Sequence, residues 1–120
     1  MPKIACGEIW LADLNPTRGH EQAGQRPCLV ISVDLFNQGP AGLCVVLPLT
    51  TKKKDILWHV PVGPAESGLK LASYIKCEDI RSVSLERVSR RMGSVSASAL
   101  SAVEYRITRL LGIRPYAPTG

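Results

Sequence analysis

Short apolar runs recur along this chain, and a helical repeat appears only near its end. Within residues 96–111, Leu100, Val103, Ile107, Leu110 and Leu111 recur at helical spacing, which predicts a helix with one apolar face. Ser96 suits its N-cap, Gly112 its stop, and Pro115 follows. Ahead of it, apolar runs at residues 8–14, 27–33, 43–49, 56–62, 72–78 and 80–84 are closed by proline, glycine or polar clusters and read as strands. Residues 92–95 add a short last strand, and 85–91 read as one or two helical turns carrying Arg87, Arg90 and Arg91. Many short strands with one late helix predict a strongly bent sheet or small barrel. A length of 120 residues suits one domain with its own core.

In the first run Ile9, Leu11 and Asp13 alternate with Trp10, Ala12 and Leu14, which places the two sets on opposite faces. Runs 27–33 and 43–49 are nearly all apolar, as strands buried on both faces are. Pro48 has no N–H for a ladder, so it predicts an edge or an irregular exit. Residues 34–42 and 65–71 read as connectors.

Fifteen Lys and Arg against ten Asp and Glu leave a net charge of +5. This is either a solvated basic surface or an attraction to a polyanion, and charge does not choose between RNA, DNA and acidic protein. No apolar run approaches the roughly 20 residues of a membrane helix, and the N-terminus lacks a signal peptide's apolar core, so a cytoplasmic chain is expected. The four cysteines form no CxxC pair and the two histidines lie far apart, so no metal is expected. Cys28, Cys44 and Cys77 lie in or beside apolar runs and read as buried free thiols.

Between the first two runs, residues 15–26 gather Arg18, His20, Glu21, Gln22 and Arg26 with few bulky apolar side chains. Donors and a titratable ring in a loop held by two strands make a site candidate. Arg26 precedes a buried strand, where its guanidinium could hold a phosphate bidentately. Thr50 and Thr51 are followed by Lys52, Lys53 and Lys54, either a solvated turn or a track for a phosphate backbone. Lys76 and Glu78 are two apart, so they share a strand face, as a surface ion pair or as an acid and a base side by side. Trp58 could stack a base, and reads more readily as core or dimer interface.

The stretch from Gly7-Glu8-Ile9-Trp10 through Asn15-Pro16-Thr17-Arg18-Gly19-His20-Glu21-Gln22-Ala23-Gly24-Gln25-Arg26-Pro27 resembles the opening of the MazF/PemK (Kid) toxins. Leu47-Pro48-Leu49-Thr50-Thr51, Cys77-Glu78-Asp79-Ile80-Arg81-Ser82 and Met92-Gly93 continue the likeness in order, over roughly residues 6–113. The resemblance implies a small SH3-like (PemK/CcdB-like) barrel with a C-terminal helix, one domain at 1–113 with a tail at 114–120, acting as a symmetric homodimer. It implies a ribosome-independent, metal-independent endoribonuclease without cofactor that cuts single-stranded RNA, chiefly mRNA, and so inhibits translation. Attack by a ribose 2′-OH would leave 2′,3′-cyclic phosphate and 5′-OH ends. A MazE/PemI-like antitoxin with an acidic tail is the implied protein partner.

The family's invariant Arg falls on Arg26 and its active-site Thr on Thr50. Its GHEQ histidine falls on His20, its general base on Glu78 and its general acid on Lys76, with Lys76 and His20 both candidates to protonate the leaving group. Thr51, Lys52, Lys53, Lys54, Arg81, Arg18 and Gln22 are the candidate RNA contacts. Two positions depart from the pattern: Glu78 replaces an Asp, and Lys76 replaces an Arg, exchanging a planar fork for a point charge. Two rivals are a barrel that binds a protein target such as DNA gyrase, as CcdB does, and a barrel that binds RNA without cutting it. A DNA nuclease is disfavoured, because the sequence offers no carboxylate cluster for a metal and DNA has no 2′-OH.

Overall fold

The structure, a computed structural model, describes residues 3–15, 19 and 24–114. Among them are seven strands: β1 (Glu8–Asp13), β2 (Gln25–Val30), β3 (Leu43–Thr50), β4 (His59–Val62), β5 (Ser73–Lys76), β6 (Arg81–Ser84) and β7 (Val88–Ser94). Two one-turn helices, α1 (Asp34–Asn37) and α2 (Pro64–Ser67), and one long helix, α3 (Ala97–Leu111), complete them. Every strand pairing is antiparallel, in the order β4-β5-β3-β2-β1-β7 with β6 also on β3. The result is a barrel-like, mainly β fold with a C-terminal helix.

β3 is the strand on which the others converge. One edge pairs with β2 from Val46 to Pro48. The other pairs with β6 over Leu43 to Val46, then with β5 at Leu49 and Thr50. Pro48 sits in the gap between those partners. A residue without an N–H is tolerated where the ladder changes hands. The expected irregular exit is therefore present, although β3 is central rather than an edge.

The alternation read in the first run divides two cores. Trp10, Ala12 and Leu14 join Cys28, Val30, Cys44, Val46, Val83 and Val88 inside the barrel. Ile9 joins Leu29, Leu47, Leu49, Val60, Ile75 and Cys77 on the opposite face, where Val103 of α3 covers them. The sheet is thus buried on both sides, which is why β2 and β3 are almost continuously apolar. α3 begins and ends where its sequence indicates: Ser96 Oγ accepts from the Ala99 N–H at 3.2 Å, and Gly112 takes a left-handed φ of 66°.

Residues 85–91 depart from expectation. Only Leu85–Arg87 form a 3-10 turn, and Arg90 and Arg91 lie in β7, opposite Leu11 and Trp10. The outer edge of β1 offers residues 88–91 a ladder, which draws them into β7. Residues 64–67 also turn into α2 instead of remaining a connector.

α2 and β7 meet backbone against backbone. A Cβ on Gly68 would lie 1.7 Å from the Met92 carbonyl oxygen, and one on Gly93 would lie 2.3 Å from that of Glu66. Glu66 also accepts the Ser96 N–H, which ties this contact to the start of α3.

Candidate active site

The polar loop between β1 and β2 is closed at its neck. Leu14 N–H donates to the Gly24 carbonyl at 2.9 Å, and Gly24 N–H donates to Asn15 Oδ1 at 3.0 Å. Gly24 has φ +76°, a conformation costly for residues with a Cβ. Arg81 reaches across from β6 and donates from Nη2 to the Leu14 carbonyl at 3.1 Å. Arg81, a candidate RNA contact, thus braces the neck. Arg18, His20 and Gln22 lie outside the described residues.

Arg26 and Thr50 come together at the barrel rim. The β2–β3 register sets Cys28 opposite Pro48 and Val30 opposite Val46. Continued by one step of two residues, it sets Arg26 opposite Thr50. The apolar rows Val30–Cys28 and Val46–Pro48 therefore run out, on the same sheet face, into a guanidinium and a hydroxyl. Both residues line a cleft of about 170 Å³ with Pro27, Thr51, Lys52, Leu69 and Ser73. Arg26 is exposed and Thr50 half-buried, with Thr50 Oγ1 accepting from the Lys52 N–H at 3.2 Å. Lys52, Lys53 and Lys54 follow on an exposed loop. Fixed positive charge and a hydroxyl beside one cleft suit a phosphodiester.

Lys76 and Glu78 occupy another part of the same surface. Thr50 pairs with Tyr74, Pro61 with Tyr74, and His59 with Lys76, so these side chains share one face of β3, β5 and β4. Glu78 lies in the turn that follows β5. It does not line the cleft of Arg26 and Thr50.

The expected Lys76–Glu78 pair is also not what forms. The turn after β5 is closed by the Asp79 N–H on the Lys76 carbonyl at 3.1 Å, and the Lys76 ammonium turns to Asp79 at 3.8 Å. Glu78 pairs instead with His59, whose Nε2 lies 2.9 Å from Glu78 Oε2. Cys77 and Glu78 form a turn that interrupts the chain between β5 and β6, both antiparallel to β3, so the period of two that would place Lys76 and Glu78 side by side stops there. His59 escapes a reading of the sequence because it lies alone between Trp58 and Val60, nineteen residues from its partner. The signal available was the hairpin of β4 and β5, which sets His59 across from Lys76.

The thiols are poor nucleophiles. Burial pushes Cys28 and Cys77 up to about 12 and Cys44 up to about 11, while Cys6, half-buried, is raised by burial and by Asp34 and Glu104. In native protein at pH 8, Cys6 is expected to react first with a disulfide reagent, and the other three only on unfolding. Rapid native labelling of Cys77, read by peptide mapping, would contradict this.

Among the described residues, no helix is long and apolar enough to cross a membrane. The family described as PemK-like, MazF-like toxin of type II toxin-antitoxin system matches residues 5–111. Endoribonuclease MazF9 of Mycobacterium tuberculosis is 35% identical over 103 residues, covering 82% of this chain and 87% of that protein. The crystal structure of MazF from Deinococcus radiodurans superposes with a TM-score of 0.82 at 26% identity, covering 94% of this chain and 100% of that one. A MazE–MazF structure from the same organism gives a TM-score of 0.77 at 28% identity, covering 95% and 100%. With nearly its whole length matched, the chain belongs to the PemK-like, MazF-like toxins of type II toxin-antitoxin systems.

Proposed function

We propose that this chain is a metal-independent endoribonuclease that cuts single-stranded RNA, the toxin of a pair silenced by a MazE-like antitoxin. The observation that carries the reading is the meeting of Arg26 and Thr50 at the rim of one cleft, with Lys52 beside them. The name endoribonuclease on the Mycobacterium tuberculosis relative and the MazE–MazF assembly of the Deinococcus radiodurans neighbour support it. A homodimer, action on mRNA in the cytoplasm and a single domain ending near residue 113 belong to the same proposal.

In this mechanism the ribose 2′-OH attacks the adjacent phosphorus, a new O–P bond forms, and the bond to the 5′-oxygen breaks. Arg26 balances the extra negative charge on the phosphoryl oxygens, and Thr50 bonds one of them. Glu78 accepts the 2′-OH proton. His20 gives a proton to the leaving 5′-oxygen, since the Lys76 ammonium is engaged by Asp79. Thr51, Lys53, Lys54, Arg18 and Gln22 would contact the flanking strand. RNA must be single-stranded, because an in-line 2′-OH needs a backbone that can splay.

The test is to incubate the protein with a long mRNA-like transcript in excess EDTA and analyse the fragment ends. Cuts at a short recurrent sequence with 2′,3′-cyclic phosphate ends are expected. Intact RNA beside folded protein would overturn the reading and make binding of gyrase the next assay.

A further inference from the structure

We infer that His59 is a positioning residue that fixes the carboxylate of Glu78 for proton transfer. This rests on the reading of Glu78 as the general base. The His59 side chain is 3% exposed, whereas that of Glu78 is 33% exposed, and Nε2 and Oε2 lie 2.9 Å apart. An ionised carboxylate only accepts, so Nε2 must carry the hydrogen. Nδ1 is buried and has no hydrogen-bond partner among the described residues. That environment suits a bare lone pair better than a second N–H, because an orphaned buried donor is the rarer and costlier case. The geometry thus assigns one ring tautomer with one donor aimed at one carboxylate oxygen.

The surrounding contacts make that donor rigid. His59 N–H donates to the Ile56 carbonyl at 3.1 Å, and the Trp58 carbonyl accepts from the Cys77 N–H at 3.0 Å. The residue before the ring is therefore tied to the residue before Glu78. Arg106 of α3 holds the preceding loop by donating to the Leu57 carbonyl at 2.7 Å. A partly exposed glutamate does not need this bond, since water would satisfy it. What the ring adds is direction: it holds one oxygen, limits rotation of the carboxylate and leaves the other oxygen's lone pairs for an incoming hydroxyl. The value of such restraint lies in orientation, where a misplacement of about 1 Å costs about 100-fold in rate.

The experiment compares full-length His59→Leu, His59→Gln, His59→Asn and Glu78→Gln, and the double variant His59→Leu/Glu78→Gln. Each is assayed at a single cut site of a long transcript, with melting curves alongside. His59→Leu is expected to lower kcat about tenfold or more with little change in KM. His59→Gln, whose amide nitrogen reaches the place of Nε2, should stay within about threefold of wild type, while the shorter His59→Asn should not. The double variant should be no slower than Glu78→Gln alone, since two residues that act through one carboxylate are not additive. If His59→Leu melts too low to interpret, the contrast between Gln and Asn decides. Equal rates for those two, or a double variant whose losses multiply while Glu78→Gln is impaired, would overturn the positioning role alone. Wild-type cleavage by Glu78→Gln would remove the base assignment itself.

Discussion

Arg26→Ala is expected to lower kcat/KM for RNA cleavage by about 100-fold or more while shifting the melting temperature by no more than about 2 °C. The two halves of this expectation have separate grounds. Arg26 is exposed at the start of β2, ahead of the apolar Cys28, Leu29 and Val30 that anchor the strand, so the fold loses little. The transition state loses the charge that meets the phosphoryl oxygens as the fifth oxygen joins phosphorus. Arg26→Lys should recover only part of the rate, because a point charge replaces a planar fork of donors. Initial rates on a long transcript, with thermal melts of the same samples, check both halves. An alanine variant that cuts at a near-normal rate would remove the phosphate role from this rim.

Gly68→Ala is expected to destabilise the protein by about 3–5 kcal/mol, a large share of the roughly 5–15 kcal/mol that a domain of this kind has. Two costs combine. The residue sits at φ +74°, where a Cβ is strained, and that Cβ would be 1.7 Å from the Met92 carbonyl oxygen. The obstacle is strand backbone, so no side-chain rotation relieves it. β7 or α2 must move, and with α2 goes Glu66, which caps the first turn of α3 through the Ser96 N–H. A fall of roughly 10–20 °C in melting temperature follows. Gly63→Ala is the control, since nothing lies within 4 Å of its added Cβ. Equal melting of the two variants would mean that α2 does not bear on β7 in this way.

The sequence was most legible where a local rule and the tertiary fold agree. Helix α3 has a serine that caps it, an apolar face that Val103 completes, and a glycine free to take φ 66°, all written within seventeen residues. The continuously apolar β2 and β3 announced burial on both faces, and both faces are buried. Arg26 and Thr50 were legible one by one, but their meeting depends on the pairing of Cys28 with Pro48, which neither strand reveals alone. The first half of β7 was missed because residues 85–91 were read on their own as helical turns, while the partner that makes 88–91 a strand lies on β1. His59 could not be seen, since a lone histidine acquires meaning only from the carboxylate that a distant turn brings to it.

A sheet buried on both faces also decides where this protein is free to evolve. Along β1, β2 and β3 nearly every inward position belongs to one core or the other, so changes there are felt as lost stability. The rim, where the rows end in Arg26 and Thr50, and the exposed lysine loop that follows bear no such burden. Under the proposed mechanism, substitutions in that loop would alter contacts to the RNA strand beside the cleft while the scaffold stays intact. On that proposal, a lineage built on this barrel would diversify its RNA targets by rewriting a few surface positions, leaving Arg26 in place.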